Sequence, residues 1–535
     1  MKATYFSLTN FGILMAGIML SACAPGDDTA ANSDSSVADD SQPETVQTTV
    51  AGCDRLIDLQ KSGQELADLA SQHEPLPVPH CKLSGVIDSA IGFELLLPDR
   101  WNGKFIMGGG GGFVGSVENQ ATWLNDGLSP LARGYATAGT DTGHIASGID
   151  ASWALNNQQA KENFAHRAVH RTTEVSKQII SEYYQGGIEY SYFLGCSRGG
   201  GQAMISAQRY PEDFDGIIAA APALDWTGIA AGFIRNQQFV FPDPGDVETP
   251  VISEANRQLL AGAILASCDA IDGVSDGILT DPNDCEFDPA GLPVCDGDPA
   301  ADCVTAQQLA AIEAIYAGPN INGEQLHPGF PLGGETDAGG WDSWITRSQT
   351  SNFPPGIPNL HYAFGTEIVK NFVYSDPDWS YSGFDFQNWR EDSAATATLL
   401  NSTDPDLSAF RDHGGKLILW HGWSDSALTA YDSIDYYASV EERDTVLRDY
   451  FRMFLMPGVL HCAGGPGPDK VDWITAIERW VENDESPERL IASKYDEQGN
   501  QTMQRPLCPH PQIARYNGAG DPDVSGSYAC TLPDD

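Results

Sequence analysis

A serine in the setting of a nucleophile lies within residues 195–199, GCSRG. The G-x-S-x-G spacing favours a strained turn between a strand and a helix, in which glycines let the chain bend and hold the serine oxygen above a sheet edge. An apolar segment, 190–194, precedes the motif, and a helical pattern over 200–210 follows it. This context predicts that Ser197 attacks a carbonyl carbon; the alternative is a glycine-rich turn with an incidental serine.

An acid and a histidine follow two later strand patterns. Asp425 ends the string HGWSD directly after one of them, and His461 lies in VLHC after the next. The order serine, acid, histidine is that of the α/β-hydrolases. In such a triad the histidine takes the serine proton, and the acid holds the imidazole and stabilises its charged form. The sequence therefore predicts Ser197, Asp425 and His461 as catalytic residues.

Each of these assignments has an alternative. Asp425 could cap the helix that begins near Thr429 instead of orienting a histidine. Asp412 and Asp444 are rival acids, although neither directly follows a strand pattern. His421 is a rival base, but it precedes the acid and so breaks the expected order. His461 could also have a purely structural role.

Alternating elements must position these residues. Strand patterns cover 104–107, 135–140, 190–194, 216–221, 416–420 and 450–456, and helix patterns cover 158–184, 200–210, 429–440 and 470–482. This alternation predicts an α/β fold with a doubly wound, parallel sheet. Between 225 and 405 it gives way to Gly, Pro, Asp and aromatic residues. We therefore expect an α/β-hydrolase domain built from 51–224 and 406–535, with a large lid domain, 225–405, inserted into it.

Composition limits the possible partners. The 535 residues include 41% hydrophobic side chains, enough for a large core, and carry a net charge of −45. So acidic a surface argues against nucleic acid or an anionic membrane as partner, because both attract basic surfaces. It fits a soluble monomer. A saline habitat that screens the charge and an ordinary acidic surface protein are both compatible with it.

The N-terminus reads as an export signal. Lys2 is the only charge before Asp27, and an apolar run over 11–20 leads into Leu-Ser-Ala-Cys ending at Cys23. This resembles a bacterial lipobox, which predicts a signal peptide over 1–22, lipidation of Cys23 as the only membrane attachment, and a disordered tether over 23–50. The protein would then face the periplasm or the cell surface. Plain secretion and an uncleaved anchor are the alternatives.

The chain has 11 cysteines, and ten remain if Cys23 is lipidated. Ten cysteines suit an oxidising compartment. Short-range candidate pairs are Cys53–Cys81, Cys268–Cys285, Cys295–Cys303 and Cys508–Cys530. Cys196 and Cys462 are left over, next to the candidate nucleophile and base. A bridge between them would pin the two loops and fix the serine–histidine distance, although connectivity stays open from sequence alone.

The cysteine-flanked triad resembles the tannase and feruloyl esterase family. The resemblance covers most of 51–535 and rests on these strings: WNGKFIMGGGGGFVGS (101–116), GCSRGGGQAMISAQRYPEDFDGIIAAAP (195–222), CDAIDGVSDGIL (268–279), HGWSD (421–425), MPGVLHCAGGPG (456–467) and RPLCPHPQIARYNGAGD (505–521). It implies an exported serine esterase that cleaves small aromatic esters of the feruloyl, galloyl or mono(2-hydroxyethyl) terephthalate (MHET) type through an acyl-enzyme. It also implies the five disulfides on the pairs above.

The string CDAIDGVSDGIL places three carboxylates on one glycine-bent turn. Hard oxygen ligands of this kind suit Ca²⁺, although the spacing is not that of an EF-hand, and a solvated acidic turn is the alternative. The family resemblance implies a structural calcium site here. Its ligands would be the side chains of Asp269, Asp272 and Asp276 and the backbone carbonyls of Val274 and Ile278. No organic cofactor is expected.

An ester hydrolase also needs two N–H donors for the oxyanion. One is predicted to be the backbone N–H of Arg198, the residue after the nucleophile. The other is expected from the glycine run 108–112, and the family resemblance points to Gly112. The segment 341–389 holds 12 aromatics, which mostly form core and of which one or two would line a slot for a planar acyl group. An esterase for aliphatic esters and a non-catalytic binding protein are the competing functions.

Overall fold

The structure, a computed structural model, describes residues 50–61, 65–296, 299–347 and 353–533. The predicted signal peptide, Cys23 and the predicted tether through residue 49 lie outside these residues. Within them the strands are β1 (Leu66–Glu74), β2 (His80–Ile87), β3 (Ile91–Pro98), β4 (Lys104–Gly108), β5 (Ala136–Thr140), β6 (Tyr190–Ser197), β7 (Gly216–Pro222), β8 (Asn320–Ile321), β9 (Glu324–Gln325), β10 (Lys416–Gly422), β11 (Phe451–Met456), β12 (Leu490–Tyr495), β13 (Gln501–Leu507), β14 (Ile513–Tyr516) and β15 (Tyr528–Thr531).

The α-helices are α1 (Gln158–Glu162), α2 (Ala168–Tyr184), α3 (Arg198–Arg209), α4 (Trp226–Val240), α5 (Glu254–Cys268), α6 (Ala306–Ala317), α7 (Trp341–Trp344), α8 (Leu360–Ile368), α9 (Trp389–Asp392), α10 (Ala394–Leu400), α11 (Ser408–His413), α12 (Ala430–Arg443) and α13 (Trp473–Asn483). Short 3-10 helices span Val50–Lys61, Gln120–Thr122, Ser152–Ala154, Pro282–Asp284, Pro289–Gly291, Leu447–Asp449 and Ser525–Ser527, and π-helical turns span Asn163–Arg167 and Val369–Val373.

Nine strands form one mixed sheet in the order β1-β2-β3-β5-β4-β6-β7-β10-β11. The strands from β5 to β11 along this order run parallel, whereas β1, β2 and β3 pair antiparallel with their neighbours. Because parallel strands end at one edge, the loops after β4, β6, β7, β10 and β11 meet there. Three two-stranded sheets, β8-β9, β12-β13 and β14-β15, lie outside the main sheet.

Both faces of the sheet are covered by apolar side chains. Along β10, Leu417 and Leu419 pack into a cluster with residues of α2, α3 and α12, whereas Ile418 and Trp420 pack on the other face with α13. Trp420 stacks on Trp473 of α13, with ring centroids 5.5 Å apart. Such alternation with both faces buried is what a doubly wound sheet requires, so the predicted fold class is confirmed.

Several element boundaries differ from the prediction. The helix expected over 158–184 is interrupted by the π-helical turn Asn163–Arg167. The helix expected from residue 470 begins only at Trp473, because Asp472 caps it and Lys470 exchanges backbone hydrogen bonds with Ser493. The antiparallel strands β1–β3 extend a sheet that was expected to be parallel.

The segment between the neighbouring strands β7 and β10, residues 223–415, is here called the insertion. Its regular elements are helices, apart from the short β8-β9 hairpin, and long loops connect them. One apolar cluster lies within it and includes Ile264, Ile312 and Trp341. A second cluster joins it to loops of the main sheet. The domain boundaries predicted at 225 and 405 stay predictions. Among the described helices, none has the length and apolar character needed to cross a bilayer.

All five predicted cysteine pairs are bonded. Their Cα–Cα distances lie between 5.1 and 5.9 Å, within the range usual for disulfides. Four bridges close short loops, and Cys196–Cys462 joins the end of β6 to the loop after β11 across 266 residues of sequence. The pairing suggested by short spacing and by the two leftover cysteines is therefore confirmed.

A glycine in α3 generates the first testable prediction. A Cβ on Gly200 would lie 2.4 Å from the Ala220 carbonyl oxygen of β7, so Gly200→Ala must push the helix off the sheet. We expect the free energy of unfolding to fall by about 1–3 kcal/mol. Gly262 in the middle of α5 meets nothing within 4 Å, so Gly262→Ala should raise it by about 0.5–1 kcal/mol. Urea unfolding measures both, and equal effects would contradict the packing argument.

Candidate active site

Ser197 sits at a strained turn between β6 and α3. Its backbone has φ 64° and ψ −122°, a conformation that residues other than glycine rarely adopt. The Ala223 N–H donates to the Ser197 carbonyl oxygen at 3.0 Å and helps to hold it. The turn also needs room beneath it, because a Cβ on Gly199 would lie only 2.1 Å from the Gln120 Oε1 atom. The strand–turn–helix setting expected of the motif is therefore present.

Asp425 and His461 are hydrogen-bonded to each other, with 2.7 Å between Nδ1 of the histidine and Oδ2 of the acid. The other oxygen of Asp425 accepts the N–H groups of Ala427 and Leu428 at 2.8 and 3.0 Å. The carboxylate therefore orients the imidazole and also holds the following turn. The cap of α12 is Thr429, whose side chain accepts the Tyr431 N–H, so the alternative that Asp425 caps this helix is wrong.

Burial is the largest influence on the ionisation of Asp425, and it favours the neutral form. The attraction to His461, together with the hydrogen bonds from His421 and His461, outweighs burial and holds the pKa of Asp425 below its ordinary value. The acid is therefore ionised at neutral pH, as a group that stabilises an imidazolium must be.

His421, the rival base, has no access to the cleft. It is fully buried, and its Nδ1 lies 2.8 Å from Ser433 Oγ. Its Nε2 lies 3.0 Å from the Leu428 carbonyl oxygen and 3.2 Å from Asp425 Oδ2. Both ring nitrogens thus hold the loop that carries Asp425, and His421 has a structural role.

One cleft brings the predicted residues together. Ser197 and His461 line it with Gly112 and Arg198. The Cys196–Cys462 bridge ties the residue before the serine to the residue after the histidine, with their Cα atoms 5.9 Å apart. The cleft therefore holds a hydroxyl, an imidazole and candidate backbone donors around one position.

The glycine run after β4 has three of its N–H groups occupied. Gly109 donates to the Leu194 carbonyl at 3.0 Å, Gly110 to Gln202 Oε1 at 3.1 Å, and Gly111 to Glu118 Oε2 at 2.7 Å. Within the described residues, the N–H of Gly112 meets no acceptor. The same holds for the N–H of Arg198 at the start of α3. These are the two donors that the sequence pointed to.

Gly112 could not be replaced by a larger residue. Its φ is 53°, and a Cβ would lie 2.3 Å from the Gly148 carbonyl oxygen. That carbonyl accepts the N–H of Phe113 at 2.7 Å and so fixes the loop. The free N–H is thus held in place by contacts on both sides.

Comparison with known proteins agrees with this arrangement. The family model described as "Tannase and feruloyl esterase" matches residues 78–531. The chain belongs to this family. A mono(2-hydroxyethyl) terephthalate hydrolase from Piscinibacter sakaiensis is 34% identical over 521 residues, 85% of each chain. A probable feruloyl esterase from Arthroderma benhamiae is 33% identical and covers 82% of this chain and 81% of its own.

The fold has close counterparts among solved structures. The crystal structure of feruloyl esterase B from Aspergillus oryzae superposes with a TM-score of 0.74 at 25% identity, covering 85% of this chain and 90% of that one. As a member of the tannase and feruloyl esterase family, the protein is a carboxylic ester hydrolase with an α/β-hydrolase fold.

Two of the 12 aromatics between 341 and 389 reach the cleft of this family member. Trp344 and Phe364 line it, with ring planes 16° apart and centroids separated by 6.0 Å. Trp344 also meets His461 edge-on at 5.1 Å. Most of the others pack among themselves, as the core interpretation expected, and Trp379, Phe384 and Trp389 are examples. The remaining lining is apolar and includes Ile229, Phe233 and Ile368.

In the predicted calcium loop, residues 268–279, the carboxylates accept hydrogen bonds from backbone N–H groups of the same loop. Asp269, Asp272 and Asp276 accept the N–H groups of Gly277, Val274 and Ile278 at 2.7, 2.9 and 3.1 Å, respectively. Arg505 also binds Asp276, at 2.7 Å. The Val274 and Ile278 carbonyls accept no hydrogen bond from the described residues. In that part of the chain no three Asp, Glu, His or Cys side chains converge as a metal site. The all-oxygen donor set suits calcium chemically, and the site stays a prediction.

Sequence reasoning missed the polar side chains beneath the cleft. Gln120 Oε1 accepts the Cys196 N–H at 2.7 Å, and the Gln120 N–H donates to the Gly109 carbonyl at 3.0 Å, which joins the glycine run to β6. Glu118 and Gln202 hold two more N–H groups of that run. These residues belong to no spaced motif, so only their nearness to the glycine run in sequence could have drawn attention to Glu118 and Gln120.

The low pKa of Asp425 predicts a pH-dependent contribution to stability. The pKa of Asp425 is lower in the folded than in the unfolded protein, so the ionised carboxylate stabilises the fold. This contribution is complete at pH values above the unfolded pKa, about 4, and is lost as the pH falls below that value. The difference in unfolding free energy between wild type and Asp425→Asn should be constant from pH 7 to 5 and shrink below pH 4.

Urea unfolding at several pH values measures that difference. Asp412→Asn removes an exposed carboxylate and should differ little from wild type at any of them. A gap between wild type and Asp425→Asn that widens in acid would contradict the assignment.

Proposed function

We propose that the protein hydrolyses esters of aromatic carboxylic acids through an acyl-enzyme on Ser197. The observation that carries the proposal is the single cleft in which Ser197, a carboxylate-held His461 and two free N–H groups stand beside Trp344 and Phe364. The names of the two relatives, a terephthalate monoester hydrolase and a feruloyl esterase, support an aromatic acyl group.

In the acylation step, Ser197 Oγ attacks the ester carbonyl while His461 Nε2 takes its proton. Asp425 holds Nδ1 of the same ring, so the imidazolium that forms is stabilised by an ionised, buried partner. His461 then gives the proton to the leaving alcohol. The Cys196–Cys462 bridge keeps the serine and the histidine in register through this transfer.

The carbonyl oxygen gains negative charge as the serine adds. The N–H groups of Gly112 and Arg198 would donate to it, and neither has to give up another acceptor to do so. In the deacylation step His461 activates a water that attacks the acyl-serine, and the released proton returns through the same ring. The products are a free acid and the alcohol.

A substrate panel tests the acyl preference. Methyl ferulate, methyl gallate and MHET carry planar acyl groups that can lie along Trp344 and Phe364, whereas p-nitrophenyl butyrate carries a short aliphatic one. We expect a higher kcat/KM for at least one aromatic acyl ester than for the butyrate, despite the better leaving group of the butyrate. The reverse order would make the protein an esterase for aliphatic acyl groups.

The triad assignment predicts large losses from single substitutions. Ser197→Ala and His461→Ala should each lower kcat by about 10⁴-fold or more with little change in the melting temperature. A fluorophosphonate should label the wild type and not Ser197→Ala. His413→Ala, at an exposed histidine, is the matched control and should keep full activity. Retained kcat in His461→Ala together with its loss in His421→Ala would make His421 the base.

The bridge beside the triad should matter for rate as well as for stability. It closes a loop of 266 residues, so its removal should cost on the order of 4–5 kcal/mol. Loss of the tie between the Ser197 and His461 loops should also lower kcat, because a displacement near 1 Å at a reacting pair costs about 10²-fold.

The matched comparison is the C-terminal bridge. A Cys508→Ala/Cys530→Ala double variant opens a loop of 22 residues on the β13–β15 segment and should lose stability only. We expect a Cys196→Ala/Cys462→Ala variant to lose kcat at temperatures where both variants are folded. Equal kcat in the two variants would reduce the first bridge to an ordinary crosslink.

We also propose that the loop 268–279 binds a structural calcium ion. Three carboxylates and two carbonyls without donors supply the oxygen ligands that Ca²⁺ prefers. Chelation by EGTA should lower the melting temperature, because an ion bound only to the native state stabilises it. Asp272→Ala should remove the EGTA effect, whereas Asp288→Ala, in an acidic turn outside the loop, should keep it. If the wild type melts at the same temperature with EGTA and with Ca²⁺, the loop 268–279 is a solvated acidic turn and the calcium proposal is wrong.

For location, we propose export followed by lipidation of Cys23. Five disulfides are typical of an oxidising compartment, and the lipobox-like string supports the anchor. A Cys23→Ser variant should leave the membrane fraction or remain unprocessed, and unchanged membrane association would contradict the lipid anchor.

A further inference from the structure

The main-chain carbonyl of Phe113 depends on one side chain for its hydrogen bond. Phe113 follows Gly112, the proposed oxyanion donor, and is fully buried. Its carbonyl oxygen lies 2.9 Å from Nε2 of His144. No other donor within the described residues reaches this oxygen. Because a buried carbonyl without a donor is costly, loss of the His144 contact would force this part of the glycine loop to move.

The loop after β5, residues 141–148, holds the glycine loop by its backbone as well. The N–H of Phe113 donates to the Gly148 carbonyl at 2.7 Å, and the N–H of Ala146 donates to the Gly115 carbonyl at 3.0 Å. Together with the histidine contact, these bonds engage both main-chain polar groups of Phe113. One neighbouring loop therefore limits how far the adjoining oxyanion donor can turn.

The turn that presents His144 is itself fixed. Thr142 and Gly143 have φ values of 63° and 87°, and the first of these is strained for a residue with a side chain. Oδ1 of Asp141 accepts the N–H of Gly143 at 2.7 Å and that of Gly92 in β3 at 2.9 Å, which ties the turn to the sheet. Strain that the surroundings maintain in this way is concentrated at functional sites.

The ring of His144 has two contacts that could explain its presence. Burial is the largest influence on its pKa and lowers it, so the ring is neutral at neutral pH and carries one proton. A carbonyl oxygen only accepts, so the bond to Phe113 requires this proton on Nε2. The ring also stacks on Trp153, with centroids 3.7 Å apart and planes 21° apart. Nδ1 is buried and has no hydrogen-bond partner in the described part of the chain, so donation and stacking are the roles to separate.

We propose that His144 is a positioning residue for the oxyanion hole, and that its Nε2–H holds the N–H of Gly112 at the cleft through the Phe113 carbonyl. This rests on the proposed function and deepens it. His144 is not among the residues that line the cleft, so its effect must pass through the glycine loop. The placement of an oxyanion donor matters most when charge develops on the ester oxygen. Loss of the bond should therefore lower kcat and change KM little.

Two substitutions separate donation from stacking. His144→Phe keeps a ring that can stack on Trp153 and removes the donor, whereas His144→Gln keeps an N–H that can reach the Phe113 carbonyl and removes the ring. With p-nitrophenyl butyrate we expect His144→Phe to lower kcat by about 10-fold or more with KM within about twofold, and His144→Gln to keep kcat within about threefold. Equal kcat in the two variants, or a lower value in His144→Gln, would overturn the proposal.

His170 of α2 provides the matched control. Its ring stacks on Tyr210 with centroids 3.9 Å apart, and its Nδ1 lies 2.8 Å from Asp213 Oδ2, beyond the end of α3 that is remote from Ser197. His170→Phe makes the same change at this place and should leave kcat within about twofold of wild type. Fluorophosphonate labelling to completion counts the folded active sites, so kcat is expressed per active site in every variant.

A transition-state analogue gives a second readout. Benzeneboronic acid adds to the serine hydroxyl and places an oxygen where the oxyanion forms, whereas benzoate binds without forming a tetrahedral adduct. The inhibition constant of the boronic acid should rise in His144→Phe in proportion to the fall in kcat/KM, and that of benzoate should stay unchanged. A boronic acid that inhibits His144→Phe as well as it inhibits the wild type would contradict the positioning role.

A measurement on the wild type covers the case in which His144→Phe does not fold. With isotope-labelled histidine, NMR reports which ring nitrogen is protonated, and the His144 signal is the one that disappears in His144→Gln. We expect a protonated Nε2, because a ring protonated on Nδ1 alone cannot donate to Phe113 and would overturn the proposal.

The same assays distinguish this inference from the proposed function. Ser197-dependent hydrolysis that is equal in the wild type and both His144 variants would overturn the inference alone. A wild type without Ser197-dependent hydrolysis of any ester would contradict the proposed function, and the positioning role would be wrong with it.

Discussion

The close approach of α3 to the end of the sheet is the constraint on which the site depends. Ser197 can keep a positive φ because Gly199, Gly200 and Gly201 place no side chain where α3 approaches its neighbours. Even a methyl on Gly200 would meet the Ala220 carbonyl of β7. The same approach directs the first N–H groups of α3 at the cleft. The packing of α3 against the sheet thus maintains the strained backbone of Ser197, and the same packing fixes the position of the nucleophile.

Polar side chains beneath the cleft, buried at Gln120 and Gln202 and half-buried at Glu118, determine which backbone N–H groups remain free. Glu118 and Gln202 take up the N–H groups next to Gly112, and Gln120 ties the glycine run to β6. Because its neighbours are satisfied, the N–H of Gly112 is left for a ligand in a fixed loop. On the other side of the cleft, His421 and two backbone N–H groups hold Asp425 in the same manner. The reacting groups are therefore placed by residues that take no part in the reaction itself.

Much of the fold and the core of the site could be predicted from the sequence. The periodicity of apolar residues and the alternation of strand and helix patterns locate the parallel strands, because a short, wholly apolar run such as 216–221 is typical of a strand buried on both faces. Cys196 and Cys462 remain after the short-range pairs are made, which predicts that they bond to each other. The π-helical turn at Asn163–Arg167 could not be predicted, because it depends on tertiary packing against a helical pattern that reads as continuous. The roles of Glu118, Gln120 and Gln202 were equally hidden, since each depends on which backbone N–H group lies opposite the side chain in space.

The insertion has a consequence for how the chain reaches this structure. β7 and β10 are hydrogen-bonded neighbours, yet all of 223–415 is made between them. While that segment emerges, β7, whose residues GIIAAAP are all buried in the finished sheet, has one edge without a partner. An apolar, unpaired strand edge is a template for association with other chains. The nascent protein must therefore be shielded along β7, or pass this stage quickly, until Lys416–Gly422 arrives to cover it.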